Sequence, residues 1–346
     1  MNKARWILVS LGAGLILVSI WSMSQGAVKV SWWEIFNILG YKLGLNDLQP
    51  ALEKKVAIFW LIRFPRVLMS VFVGMSLAIC GTAMQGLFRN PLADPSLIGI
   101  STGAALAAAL VIVLGGTLAA AWGGAVGMYV LSIATFTGAV VASFLVFFIG
   151  REKGRTNVAT MLLAGIAINA LAGAMTGLLT YLADDVQLRD LTFWTLGSLG
   201  GTTWGKLGIV SVASLISLII FLNFGKAFNA LSLGEEEASY LGIEVERLKF
   251  VVVLATGLAI GCSVAFCGVI GFVGLVVPHL LRILGGADHH YLLPASALGG
   301  GLLLAFADTV SRTLLAPAEL PIGILTALVG APFFLFLLYQ QRLKFE

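Results

Sequence analysis

Charge in this chain is bunched, and the intervals between the bunches are as wide as a membrane. No Asp, Glu, Lys or Arg occurs in 6–28, 67–88, 95–150, 156–183, 207–225, 250–281, 289–307 or 320–341. A helix that crosses a bilayer needs about 20 apolar residues. The stretch 95–150 is long enough for two such helices. The stretch 250–281 holds two if one is short or broken, and Gly268, Gly271 and Gly274 offer a place to break. The spacing predicts about ten spans, near 6–26, 64–86, 95–114, 125–149, 157–182, 205–224, 249–267, 270–285, 292–313 and 320–340. In lipid only helices and closed barrels satisfy the backbone, and apolar runs this continuous are helical. The chain is therefore expected to be an all-α polytopic membrane protein, with 1–346 as a single transmembrane domain.

Charged residues make up 11% of the chain, against about 25% in soluble domains. The longest polar stretches, 29–66, 184–206 and 226–249, are too short for a nucleotide-binding or catalytic domain. The net charge of +4 does not point to nucleic acid, because the basic residues sit between spans. Cys80, Cys262 and Cys267 lie in apolar runs without CxxC spacing and read as small core residues. The N-terminal run, with small residues at Ser24, Gly26 and Ala27, has features of a cleaved signal. Its apolar run is span-length and many spans follow, so it is read as a retained first helix.

Ten spans put both termini on one side. With the N-terminus inside, the inner segments carry Lys3, Arg5, Arg89, Arg151, Lys153, Arg155, Lys226, Arg247, Lys249, Arg282, Arg342 and Lys344, over half of the 21 basic residues. Short loops weigh most in the positive-inside rule, and they favour this orientation. The expectation is a multi-pass protein of the cytoplasmic (inner) membrane with both termini cytoplasmic. Gly123/Gly127, Gly173/Gly177 and Gly257/Gly261 have the spacing that lets helix backbones approach closely.

GGTTWGK, Gly200 to Lys206, fits GxxxxGK, but Leu207 stands where a phosphate loop needs Ser or Thr for Mg²⁺. Any ATP must then be handled by another polypeptide. Asp308 and Arg312 are four apart and share a helix face near one membrane boundary. His279, His289 and His290 do not make a metal set. In Leu231 to Lys249, three acids follow Gly234, and Leu241-Gly242 ends the run. That pattern suits a short helix with acids at its positive end. An ion-coupled secondary transporter would need paired ionisable groups near the membrane midplane. The one acid inside a predicted span, Asp308, lies toward its end. No catalytic cluster for a membrane enzyme appears.

RFPRVL (Arg63 to Leu68), GLFRNPLADPSLIGISTGA (Gly86 to Ala104), GFVGLVVPHLLRILGGADHHYLLPASAL (Gly271 to Leu298) and ELPIGILTALVGAPFFLFLL (Glu319 to Leu338) together resemble the FecCD-type permeases, membrane subunits of ATP-powered importers for iron chelates, haem and vitamin B12. The resemblance covers nearly the whole chain. It implies the type II ABC importer (vitamin B12 permease-like) fold, with ten helices per subunit. It also implies a second permease copy as a homodimer, two cytoplasmic ATPase subunits and a periplasmic or lipid-anchored substrate-binding protein. The chain would be no enzyme and bind no cofactor or metal, ATP and Mg²⁺ being held by the ATPase.

Mapped by the same resemblance, 231–249 is the cytoplasmic coupling segment, with Leu231, Gly234, Glu235, Glu236, Ala238, Leu241 and Gly242 meeting the ATPase. Arg63, Arg66 and Arg312 match outward-facing arginines that receive acids of the binding protein. Asn90, Pro91 and Leu92 match a loop at the inner gate, with Asn157 opposite. LADDVQLRDLTFWTLGSLGG (Leu182 to Gly201) and LLAPAELPIG are most similar to the haem branch, the second shared with cobalamin permeases, so haem is the expected substrate, with ferric siderophore or cobalamin as alternatives. Arg189, beside Phe193 and Trp194, is the candidate for meeting haem propionates at the entrance.

Overall fold

The computed structural model describes residues 2–26, 28–47, 49, 52–115, 125–152 and 154–342. Among these, ten apolar helices run through one bundle. Seven are long enough to cross a membrane, and Ile100–Leu114, Val273–Gly285 and Ile322–Phe336 are shorter. In chain order the helices are α1 (Asn2–Ser24), α2 (Trp32–Lys42), α3 (Glu53–Leu87), α4 (Ile100–Leu114), α5 (Ala125–Ile149), α6 (Val158–Leu182), α7 (Asp185–Thr195), α8 (Trp204–Asn223), α9 (Gly225–Leu231), α10 (Glu235–Tyr240), α11 (Val245–Cys267), α12 (Val273–Gly285), α13 (His289–Leu314) and α14 (Ile322–Arg342). The ten apolar helices are all but α2, α7, α9 and α10. Lys153 and Lys344 of the predicted inner set, and Gly123, lie outside the described residues.

Polar side chains start the helices that charge spacing alone could not delimit. Ser31 and Glu34 close a capping box on α2, and Asp184 and Gln187 close one on α7. Asn157 caps α6, Thr203 caps α8 and Asp288 caps α13. Asp288 also accepts from Asn229 Nδ2 at 2.7 Å, and these donors hold its carboxyl below the usual range. The predicted span 95–114 begins later than expected, at Ile100. Pro95–Ile98 instead forms a 3₁₀ turn capped by Asp94, and Gly99 takes a left-handed conformation before α4 starts. The break foreseen in 250–281 falls at Gly268–Phe272, where both end residues have positive φ. Here the chain reverses, and α12 returns beside α3.

The core is organised on α3, which packs against α13, α8, α12 and α11. Small residues set the separations. A Cβ at Gly74 would strike the Gly300 carbonyl, and one at Gly81 the Gly274 carbonyl, so backbones touch where α3 meets α13 and α12. Gly103 and Gly138 do the same for α4 and α5. Of the pairs singled out by spacing, Gly257 and Gly261 pack on Ser143 and Phe136, whereas Gly173 and Gly177 meet nothing within the chain. These last two lie on α6, whose Leu163, Ile166, Leu171, Leu178 and Tyr181 are also exposed. α6 therefore has an apolar, uncharged face with no partner inside the described residues.

The glycine contacts make a direct prediction. Gly74→Val should force α3 and α13 apart and destabilise the bundle by roughly 1–3 kcal/mol, the usual range for overpacking. Gly173→Val, on the open face, should not. Thermal unfolding of the two variants in the same detergent checks this.

Candidate functional site

The predicted residues gather at two opposite ends of the bundle. At one end lies the segment between α8 and α11. The sequence suggests one short helix within Leu231 to Lys249; the structure has two before α11 begins. α9 ends at Leu231, which is fully buried, because it packs into the core with Phe228. After a turn, Gly234 adopts φ 145°, open to glycine alone, and α10 begins at Glu235. Gly242 takes φ 82° and ends it. Ala238 faces inward, and the outward crest consists of Leu233, Tyr240 at 88% exposure and Leu241 at 64%. Tyr240 was not singled out from sequence. Glu236, Tyr240, Gly242, Glu244 and Arg247 line a cleft of about 870 Å³ beside this crest.

The acids of α10 are not all free for a partner. Glu235 bonds Lys249 Nζ at 2.7 Å, and Lys249 is wholly buried. The same ammonium donates to the Thr156 carbonyl at 2.6 Å and to Glu246 at 3.2 Å. Glu246 in turn accepts from the Thr156 amide and hydroxyl at 2.9 and 2.6 Å. Thr156 ends the small hairpin Arg151–Glu152/Arg155–Thr156 and directly precedes Asn157, the cap of α6. Lys249 had been read only as one of the basic residues that set topology. Its place at the edge of a charge-free run, three residues after Glu246, was the available signal.

Asn157 and Arg89 line one groove of about 740 Å³ together with Arg155 and Glu235. Arg89 has φ 47°, rare for a side chain with a Cβ. It turns the chain into Asn90, whose side chain accepts from the Leu92 amide at 2.9 Å. The loop then packs on α6, with Leu97 over Gly165 and Asn169 donating to Ser96. Asn90, Pro91 and Leu92 thus lie between Arg89, which shares the groove with Asn157, and the Ser96–Leu97 contact with the body of α6.

At the other end, the expectation that Arg63, Arg66 and Arg312 face outward is corrected. All three are buried within the chain. Arg63 donates to the carbonyls of Met23, Ser24 and Val28, fastening the end of α1. Arg66 grips Asp308 through Nε and Nη2 at 3.0 and 2.9 Å, and Glu319 through Nη1 at 2.9 Å. Arg312 reaches Ser22 and lies 3.8 Å from Asp308. An isolated charge is costly at this depth, and the available acids and carbonyls draw the guanidinium groups inward. Glu319 alone of this group is well exposed, at 48%. The shared helix face of Asp308 and Arg312 is as predicted, but Asp308's close partner is Arg66, from α3. Arg189 is exposed on α7, a helix not foreseen, with Phe193 exposed nearby.

The FecCD transport family model matches residues 14–340. The chain belongs to the FecCD transport family. It is 46% identical over 329 residues to the hemin transport system permease protein HmuU of Yersinia pestis, covering 95% of this chain and 93% of that one. It is 42% identical over 341 residues to the vitamin B12 import system permease protein BtuC of Serratia proteamaculans, covering 99% and 94%. In structure it resembles an ABC transporter assigned to the metal-chelate type and solved in an inward-facing conformation, with a TM-score of 0.82, 33% identity and coverage of 97% and 99%. The fold is that of the type II ABC importer permeases, and a FecCD protein of this kind is a transport permease, not an enzyme.

The Arg66 cluster makes a second prediction. Arg66→Met takes from the buried Asp308 carboxylate its guanidinium hydrogen bonds, leaving it only Arg312 at 3.8 Å, and should cost roughly 3–5 kcal/mol. Adding Asp308→Asn should return only part of that loss, because it removes the stranded carboxylate but leaves the buried Arg312 without its acid. A double-mutant cycle by thermal unfolding measures both.

Proposed function

We propose that this chain is the membrane-spanning permease subunit of an ATP-driven importer, and that two copies form the route by which haem crosses the cytoplasmic membrane. The haem assignment is carried by the 46% identity to the hemin permease, sustained over nearly the full length of both chains. The face of α6 suits the task. No charge lies between Asn157 and Ala183, and the open Gly173 and Gly177 leave width for a large planar ligand. A surface with few fixed polar groups releases its cargo instead of retaining it. The route is read as running between two copies, lined by α6, α14 and the Asn90–Leu92 loop. Cobalamin is the second reading, favoured by 42% identity to a B12 permease over 341 residues, and a ferric siderophore is the third.

In this reading both termini are cytoplasmic and the α10 crest meets an ATPase subunit, one on each copy. Tyr240 and Leu241 are the apolar contacts and Glu236 the charged one. A substrate-binding protein docks at the opposite end. There Arg63, Arg66 and Arg312 act from beneath, holding α1, α3 and α13 in register under the exposed Glu319. Arg189 stands at the entrance, where its guanidinium can pair with a propionate.

Three outcomes follow. In the complex reconstituted with its ATPase and binding protein, haem should raise ATP hydrolysis several-fold, while cobalamin and ferric siderophores should not; stimulation by one of those alone transfers the assignment to it. Leu241→Glu should abolish uptake while the permease still assembles in the membrane, and Arg189→Ala should lower haem uptake with assembly intact. Both are read by radiolabelled haem uptake beside size-exclusion profiles.

A further inference from the structure

We propose that Lys249 is a positioning residue that fastens the coupling helix α10 to the entrance of α6, so that the two move as one piece. The inference rests on the reading of α10 as the ATPase contact. A lysine ammonium has three N–H donors, and all three are spent here, on Thr156 O, Glu235 and Glu246. Each partner belongs to a different structural unit. Glu235 is the first residue of α10, Glu246 is in the first turn of α11, and Thr156 is the residue before the α6 cap. Glu246 doubles the link by accepting from Thr156 twice. The junction thus joins segments more than 90 residues apart in sequence.

Stability alone does not explain a lysine at this position. Replacing a buried ion pair by an apolar side chain of similar volume is often neutral or stabilising. What the charged junction adds is a fixed geometry. The flanks of Lys249, Leu248 and Val252, are already in the core, so a Met could fill the site. Force on the exposed Tyr240–Leu241 crest would then pass along one turn of α10 to Glu235, through the ammonium to the Thr156 carbonyl, and into α6. The groove shared by Arg89 and Asn157 lies directly at that point. Thr156 thereby becomes the place where movement of the crest widens or narrows the mouth of the bundle.

The test places spin labels at Ser239→Cys on α10 and Ala159→Cys on α6, both exposed, in a chain whose three native cysteines are buried. Distances are measured in nanodiscs, with and without the ATPase. With Lys249 intact the distribution should be narrow, and should stay narrow when ATP and vanadate trap the complex. Lys249→Met should broaden it and cut haem moved per ATP by about tenfold, a size typical of coupling between sites. Glu235→Ala severs the same link from its solvent side, so it should broaden the distribution even if Lys249→Met fails to assemble. Narrow distributions in Glu235→Ala overturn the proposal, as does unchanged haem moved per ATP in Lys249→Met. If the labelled parent hydrolyses ATP but moves no haem, cobalamin or ferric siderophore, the transport reading fails while the distances still decide the role of Lys249.

Discussion

Everything in this molecule follows from a solvent that will not hydrate charge. Lipid leaves the bundle interior only two tolerable places for ionised groups, its two ends, and at each end a buried cation gathers the nearby acids, with Arg63 and Arg312 buried beside Arg66. Arg66 collects Asp308 and Glu319 at one end, and Lys249 collects Glu235, Glu246 and a backbone carbonyl at the other. Between them the helices meet through glycine and small apolar residues, because apolar burial gives no drive for association in lipid and close packing must supply it. The ends are thus specified by charge and the middle by shape. Such an arrangement lets the middle carry an uncharged face like that of α6 without compromising the fold.

The same constraint explains what could be read in advance. Spans were legible because a missing charge over 20 residues has few other meanings, and the break at Gly268–Phe272 was legible from glycine spacing. The start of α4 was not, because it depends on Asp94, Pro95 and Gly99 acting together as a 3₁₀ turn. α7 was hidden because its sequence is polar on average and its signal is a local capping box. The bounds of α10 were visible in Gly234 and Gly242, whose positive φ values set them. Leu231 was misplaced because an apolar residue beside a loop looks the same whether it faces a core or a partner.

Arginine orientation was the largest error, and its cause is general. Spacing on one helix shows that Arg63 and Arg66 lie near a boundary, but not what waits for them across the bundle. Asp308 is 242 residues away from Arg66 in sequence, and Arg63 is held by backbone carbonyls that no side-chain pattern announces. Lys249 was overlooked for the same reason: its partner Thr156 contributes a carbonyl, which sequence cannot mark. Long-range satisfaction of buried charge is a property of the assembled fold.

If α10 meets the ATPase and α7 the arriving substrate, as proposed, the two charged ends face opposite sides of the membrane. Single cysteines at Leu241 and Arg189 test it directly, since the native cysteines are buried. In intact cells or right-side-out vesicles, a membrane-impermeant maleimide should label Arg189→Cys at once and reach Leu241→Cys only after the membrane is opened. Labelling of both from the same side would contradict the account.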